Sequence, residues 1–149
     1  MVGGCDQPEP PVTRFELPIS VAPEDIDELG HVNNVVYVRW IQDVAIAHWR
    51  AAATSMQQEE YFWVAVRHEI DYKHPTLLSD QVFARTWVGA AEAARFERHT
   101  EIVRARDQKI LARSRTFWCP INRRTGRLTR VSDELRRVFS AMPDQHPPT

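Results

Sequence analysis

Cysteine is scarce. Cys5 and Cys119 are the only two, too few for a disulfide framework and without the spacing of a metal site. An excess of positive charge is missing as well. The 149 residues carry 19 Lys and Arg against 20 Asp and Glu, a net charge of -1. That balance argues against a strongly basic nucleic-acid binder and against an acidic solvating chain. No apolar run approaches the roughly 18 residues of a membrane helix. The first residues, from Met1 to Pro11, have neither a basic start nor a hydrophobic stretch, so they do not read as a secretory signal. What is present is ordinary globular composition, 43% hydrophobic and 26% charged, in a chain long enough for one sizeable core. The expected class is a single cytoplasmic domain over residues 13–141, between flexible tails at 1–12 and 142–149 that are polar and rich in proline.

Charge is balanced overall but segregated along the chain. Residues 1–94 carry six basic against fourteen acidic side chains, and residues 95–137 carry thirteen against five. The second half therefore predicts a cationic surface suited to a polyanion, unless its arginines only decorate the solvent faces of strands.

Hydrophobic periodicity changes several times. Phe15, Leu17, Ile19 and Val21 alternate with polar residues and Pro18, the pattern of a half-buried strand in which proline demands an edge position or a turned-away nitrogen. The longest apolar segment runs from Asn34 to Trp49. Its polar positions Arg39, Gln42, Asp43 and Arg50 recur every three or four residues on one narrow side, so it reads as a helix that other elements must surround. A polar connection follows at 54–60. Then comes a strand with Phe62, Val64, Val66, His68, Ile70 and Tyr72 on one face and Trp63, Arg67, Glu69 and Asp71 on the other. Further strands are expected at 82–88, 95–103 and 110–121, with a connection at 89–94 and a hairpin turn at 104–109. Ser132 caps a last short helix over 133–141. One long helix enclosed by about five mostly antiparallel strands fits an α+β hotdog architecture, a curved sheet wrapped around a rod; a helix packed on a barrel would also fit. Such a sheet leaves an open edge, which edge-to-edge dimerisation would hide.

Chemistry concentrates in the loop before the long helix, Asp25-Ile-Asp27-Glu-Leu-Gly30-His31-Val-Asn33-Asn34. Asn33 is a natural N-cap. The remaining first-turn amides and the positive end of the helix dipole suit an oxyanion or a polarised carbonyl. Gly30 permits an unusual backbone dihedral and the close approach of a ligand. A carboxylate on this loop could act as nucleophile or general base, or Asp25 and Asp27 could serve only as capping charge. The loop lacks the regular oxygen series and terminal Glu of a calcium site, so no metal is expected.

The stretch Asp27-x-x-Gly30-His31-Val32-Asn33-Asn34-x-x-Tyr37 resembles the signature of hotdog-fold acyl thioesterases of the 4-hydroxybenzoyl-CoA thioesterase-like group. It is also similar to the Asp-x-x-x-His-x-Asn-Asn segment of the plant acyl-ACP thioesterases. Ile70-Asp-Tyr72-Lys-His-Pro75, Leu78-Ser-Asp80-Gln-Val82 and Arg95-Phe96-Glu97 add weaker matches. The plant enzymes carry a Glu near the position of Pro75, so their full catalytic set does not transfer, whereas bacterial relatives commonly have Pro there.

The resemblance implies hydrolysis of acyl thioesters, on CoA or on an acyl carrier protein, with no cofactor and no nucleic-acid or membrane partner. It places the catalytic carboxylate on Asp27, positioning roles on His31 and Asn33, and carbonyl polarisation on the amides near Asn34 and Val35. Gly30, Val35 and Tyr37 are then substrate-binding candidates, with Arg95, Arg98 and Arg106 as phosphate contacts. Tyr37, Trp40, Trp63 and Trp87 are candidates to line an acyl slot. A homodimer or a dimer of dimers is expected. Two rivals compete with this reading: a hydroxyacyl dehydratase, for which the helix offers only Asp43 and His48, and a non-catalytic acyl-CoA-binding module, which Asp27 disfavours.

Overall fold

The computed structural model describes residues 14–140; Cys5 and the two expected tails lie outside the described residues. The elements are β1 (Phe15–Ile19), α1 (Asn34–Ala52), α2 (Ser55–Glu60), β2 (Tyr61–Tyr72), β3 (Val82–Glu92), β4 (Arg95–Arg104), β5 (Lys109–Asn122) and α3 (Asp133–Ser140). The five strands form one antiparallel sheet in the order β1-β3-β4-β5-β2. Val36, Tyr37, Trp40, Ile41, Val44, Ala45, His48 and Trp49 of α1 are buried. This is the hotdog arrangement expected from the apolar circumference of that segment.

Both edges behave as their sequences dictate. Pro18 sits opposite Phe83 in β1, at one edge of the sheet, where a missing amide is tolerated. At the other edge β2 is twelve residues long and contains no proline, and among the described residues nothing pairs with its outer side.

A bulge corrects the face expected for β2. The register with β5 shifts between Ala65 and Arg67, so Val66 is an extra residue and the alternation changes phase there. Trp63 consequently packs inward against the rings of Trp49, Phe96 and Phe139. Phe62, Val64 and Val66 point the other way and stay 38%, 39% and 52% exposed. His68, beyond the bulge, bonds through Nδ1 to the buried Thr116 hydroxyl at 3.0 Å.

Two further boundaries differ from expectation. The connection at 54–60 contains α2, closed by a capping box: Thr54 Oγ1 accepts from the Gln57 amide while Gln57 Oε1 accepts from the Thr54 amide. β3 continues through Glu92, past a register shift between Val88 and Ala91, and the chain reverses at Ala93, whose φ is 48°. The last helix starts where expected, with Ser132 Oγ accepting from the Leu135 amide at 3.1 Å.

The core is divided. One apolar cluster gathers Val36, Tyr37, Trp40 and Val44 with Val82, Ala84 and Ile102. The other gathers Trp49 and Phe96 with Leu135, Val138 and Phe139 of α3. Between them, in chain position on α1, β3 and β4, lie the buried polar residues His48, Thr86, Arg98 and Thr100.

Candidate active site at the mouth of the long helix

The loop before α1 is held by its own backbone and by one buried carboxylate. Asp25, 3% exposed, accepts the Ala22 amide on Oδ2 at 2.9 Å and Arg39 Nη2 on Oδ1 at 3.0 Å. Its carbonyl accepts the Asn33 amide at 2.8 Å. Asp25 thus ties the loop to the first turns of α1, a structural role. Within the loop, the Asp27 amide donates to His31 O and the Gly30 amide to Asp27 O, both at 2.9 Å. The reversal requires Gly30 at φ 82°, where a side chain would be strained.

Asp27 is half-buried. Its Oδ1 accepts the Leu29 amide at 2.9 Å, which fixes the carboxylate; Oδ2 takes no hydrogen bond among the described residues. His31 is half-buried and contributes its carbonyl to the loop. Asn33 is the N-cap, with Oδ1 accepting from the Val35 amide at 3.0 Å. That bond corrects one expectation: the Val35 amide is spent on the cap. The Val36 amide is likewise turned back onto Asn33 O at 2.9 Å. Among the described residues the Asn34 amide is the first-turn donor left without an acceptor, at the positive end of a 19-residue helix. The Asn34 carbonyl accepts from the Tyr72 hydroxyl at 3.3 Å, so the far end of β2 reaches this mouth.

Tyr37 lies inside the core. It is 2% exposed, and its hydroxyl pairs with Thr76 Oγ1 at 2.6 Å. Burial raises its phenol pKa. Val35 is 73% exposed at the mouth.

The three arginines do not come together. Arg95 opens β4 with its guanidinium 4.3 Å above the Phe117 ring. Arg106 lies in the turn after β4, about 35 Å away along an extended strand. Arg98 is not on the surface at all: it is 4% exposed and points under α1, where Nη1 donates to His48 Nδ1 at 2.9 Å and to Thr86 Oγ1 at 3.0 Å. The expected cationic surface is neutralised in part, where Arg104 pairs with Asp107, Arg113 with Glu101 and Arg115 with Glu69.

A cavity of about 630 Å³ opens between the second half of α1 and the free β2 edge, lined by Ile46, Trp49, Trp63, Phe96, Arg98 and Trp118 among others. Of the aromatics proposed for an acyl slot, Trp63 lines it, whereas Trp40 is buried beside Tyr37 and Trp87 stacks on His99 and under Arg14. Sequence reasoning missed Arg98 and His48 as buried partners. The signal was parity: Arg98 shares its strand face with Phe96, Thr100 and Ile102, all buried. Burial first, and the Arg98 charge second, push His48 down to about 3. It is therefore neutral near pH 7 with Nδ1 engaged. Asp43 is exposed on the outer side of α1, and neither residue is placed as a dehydratase base would be.

The same architecture recurs in solved thioesterases. A 1,4-dihydroxy-2-naphthoyl-CoA thioesterase from Synechocystis superposes with a TM-score of 0.75 at 19% identity, over 91% of this chain and 100% of its own. A Thermus thermophilus thioesterase complexed with coenzyme A and Zn gives 0.75 at 21% identity, over 89% and 96%. A Staphylococcus aureus protein in complex with CoA gives 0.76 at 14% identity, over 96% and 92%. These likenesses are of fold. In sequence, a chloroplastic palmitoyl-acyl carrier protein thioesterase from Gossypium hirsutum is 26% identical over 105 residues, 64% of this chain and 25% of that protein. The corresponding figures for an acyl-(acyl-carrier-protein) hydrolase of Cuphea viscosissima are 24%, 65% and 26%. This chain spans about a quarter of the length of those relatives. Residues 21–139, which include the Asp27 loop, the enclosed helix and the Arg98 strand, match the model of the thioesterase-like superfamily, and the chain belongs to that family.

Proposed function

We propose that this protein hydrolyses acyl thioesters, acyl-CoA foremost, to free acid and thiol. The observation that carries the reading is the pairing, in a thioesterase-like chain, of a half-buried carboxylate on the Asp27 loop with an unspent amide at the start of α1. The Asn34 N–H would donate to the thioester oxygen as negative charge develops there, an effect worth roughly 10²–10³ in rate for one such donor. Asp27 Oδ2 would attack the carbonyl or take a proton from water, while Leu29 holds Oδ1. His31 and Asn33 shape the loop and the cap.

The carbonyl site and the cavity lie at opposite ends of α1. Asn34 and Ile46 are about 18 Å apart along a helix axis, so one chain does not join them. Two copies paired antiparallel through β2 would. Residues 61–65 of one copy would then lie beside residues 68–72 of the other, whose Tyr72 already touches Asn34. The exposed apolar residues Phe62, Val64 and Val66 and the unpaired edge support that homodimer. The CoA complexes of two structural neighbours favour CoA as the carrier; carrier-protein substrates are the second reading, favoured by the curated relatives.

The test is thiol release over a panel of acyl-CoA and acyl-carrier-protein thioesters. The wild type turns over at least one class, and Asp27→Asn, folded as judged by circular dichroism, loses roughly 10²–10⁴ in kcat. Undiminished turnover in the folded variant would remove Asp27 from the chemistry.

A further inference from the structure

The cavity beside β2 is walled by rings but furnished with hydrogen-bond donors. Arg98 lines it from β4 with a guanidinium that has no carboxylate within 4 Å among the described residues. Its hydrogen bonds among the described residues both leave from Nη1, to His48 and Thr86, so Nε and Nη2 retain donor capacity. Five other arginines, Arg39, Arg85, Arg104, Arg113 and Arg115, each have an acidic partner. Trp63 and Trp118 line the same cavity, and the Nε1 atom of each is buried without an acceptor. His48 Nε2, which carries the ring proton while Nδ1 accepts from Arg98, is buried and unpartnered too. Arginine and indole groups only donate. A buried cation lacking a counter-charge is costly unless an anion completes it.

We infer that this cavity binds the far end of an acyl group that terminates in a carboxylate. Arg98 supplies the counter-charge through a planar fork that matches carboxylate geometry. Trp63 and Trp118 flank the apolar spacer, and the volume of about 630 Å³ is that of a small-molecule site. The substrate class is the monothioester of a dicarboxylic acid. The thioester half of this statement rests on the proposed hydrolase reading; the carboxylate half stands on the cavity alone.

Two CoA thioethers that cannot be hydrolysed separate the two halves. Both carry the same six-carbon chain, one ending in a carboxylate and the other in a methyl group. Calorimetric titration of the wild type is expected to show the carboxylate analogue binding at least about ten-fold tighter. Arg98→Met should erase that preference while leaving affinity for the methyl analogue within about two-fold, and Arg98→Lys should retain part of it. Equal or tighter binding of the methyl analogue by the wild type overturns the inference, even if neither variant folds. So does a preference that survives in folded Arg98→Met, or CoA alone binding as tightly as the carboxylate analogue. Discrimination between the analogues without turnover of any thioester would sink the hydrolase reading and leave the carboxylate site standing.

Discussion

His48 makes the stability of this fold sensitive to mild acid. The side chain is 1% exposed, stacked at 4.9 Å on Phe15 of β1 and at 4.9 Å against Phe139 of α3, and the charged group facing it is Arg98 of β4. Folding holds it at about 3, against an ordinary histidine value near 6.5. The unfolded chain therefore binds a proton between those values that the folded chain refuses, and stability falls as pH drops through that window. Full stability is present above pH 6.5. By pH 5 the linkage removes about 2 kcal/mol, a range in which ordinary carboxylates still contribute little. The assay is urea unfolding at fixed protein concentration and at pH 7.5, 6.5, 5.8 and 5.0, on the wild type and on His48→Gln, whose amide oxygen can still accept from Arg98. The wild-type curve should drop by about 2 kcal/mol more than the variant's. Parallel curves would refute the reasoning, because they would mean that the imidazole is not held neutral by its surroundings.

Three other perturbations probe the site and its frame. Asp25→Asn weakens the tie between loop and helix and should cost about 1–3 kcal/mol in urea unfolding, while lowering kcat more than it raises KM because the Asp27 loop loses its anchor. Tyr37→Phe strands the buried Thr76 hydroxyl, so the expected result is a loss of about 1–2 kcal/mol with KM unchanged; a raised KM would instead make Tyr37 a substrate contact. Val64→Lys puts a charge on the free β2 edge, and sedimentation velocity should then find a monomer where the wild type sediments as a dimer.

Much of the fold was legible because burial imposes periodicity. The stripe of Arg39, Gln42, Asp43 and Arg50 announced a surrounded helix, and Pro18 announced an edge. The missing pieces are those where a local device overrides period. One extra residue at Val66 reverses the phase of β2, and no alternation count detects a bulge before the partner strand is known. The six residues of α2 are too few to display a period, although Thr54 and Gln57 spelled out their capping box. At the site, Asn33 and Gly30 were readable from stereochemistry alone, since a cap and a positive φ are demands on a single residue. Arg98 was not, because a guanidinium is assigned to solvent by default, and only the parity of β4 contradicts that. Asp25 was recognisable as an acid but not as the buried one of the pair. Its partner Arg39 lies fourteen positions away, on the next element.

The unequal edges of the sheet limit how this protein can grow. β1 is short and lacks an amide at Pro18, so it is a poor template for another strand. β2 is long and open, but in the proposed dimer it would be zipped to its own image, and the outward rims of the enlarged sheet would then both be copies of the blunted β1. Growth of this kind would stop at two. A fibre would need a second sticky margin, and the proline has removed it.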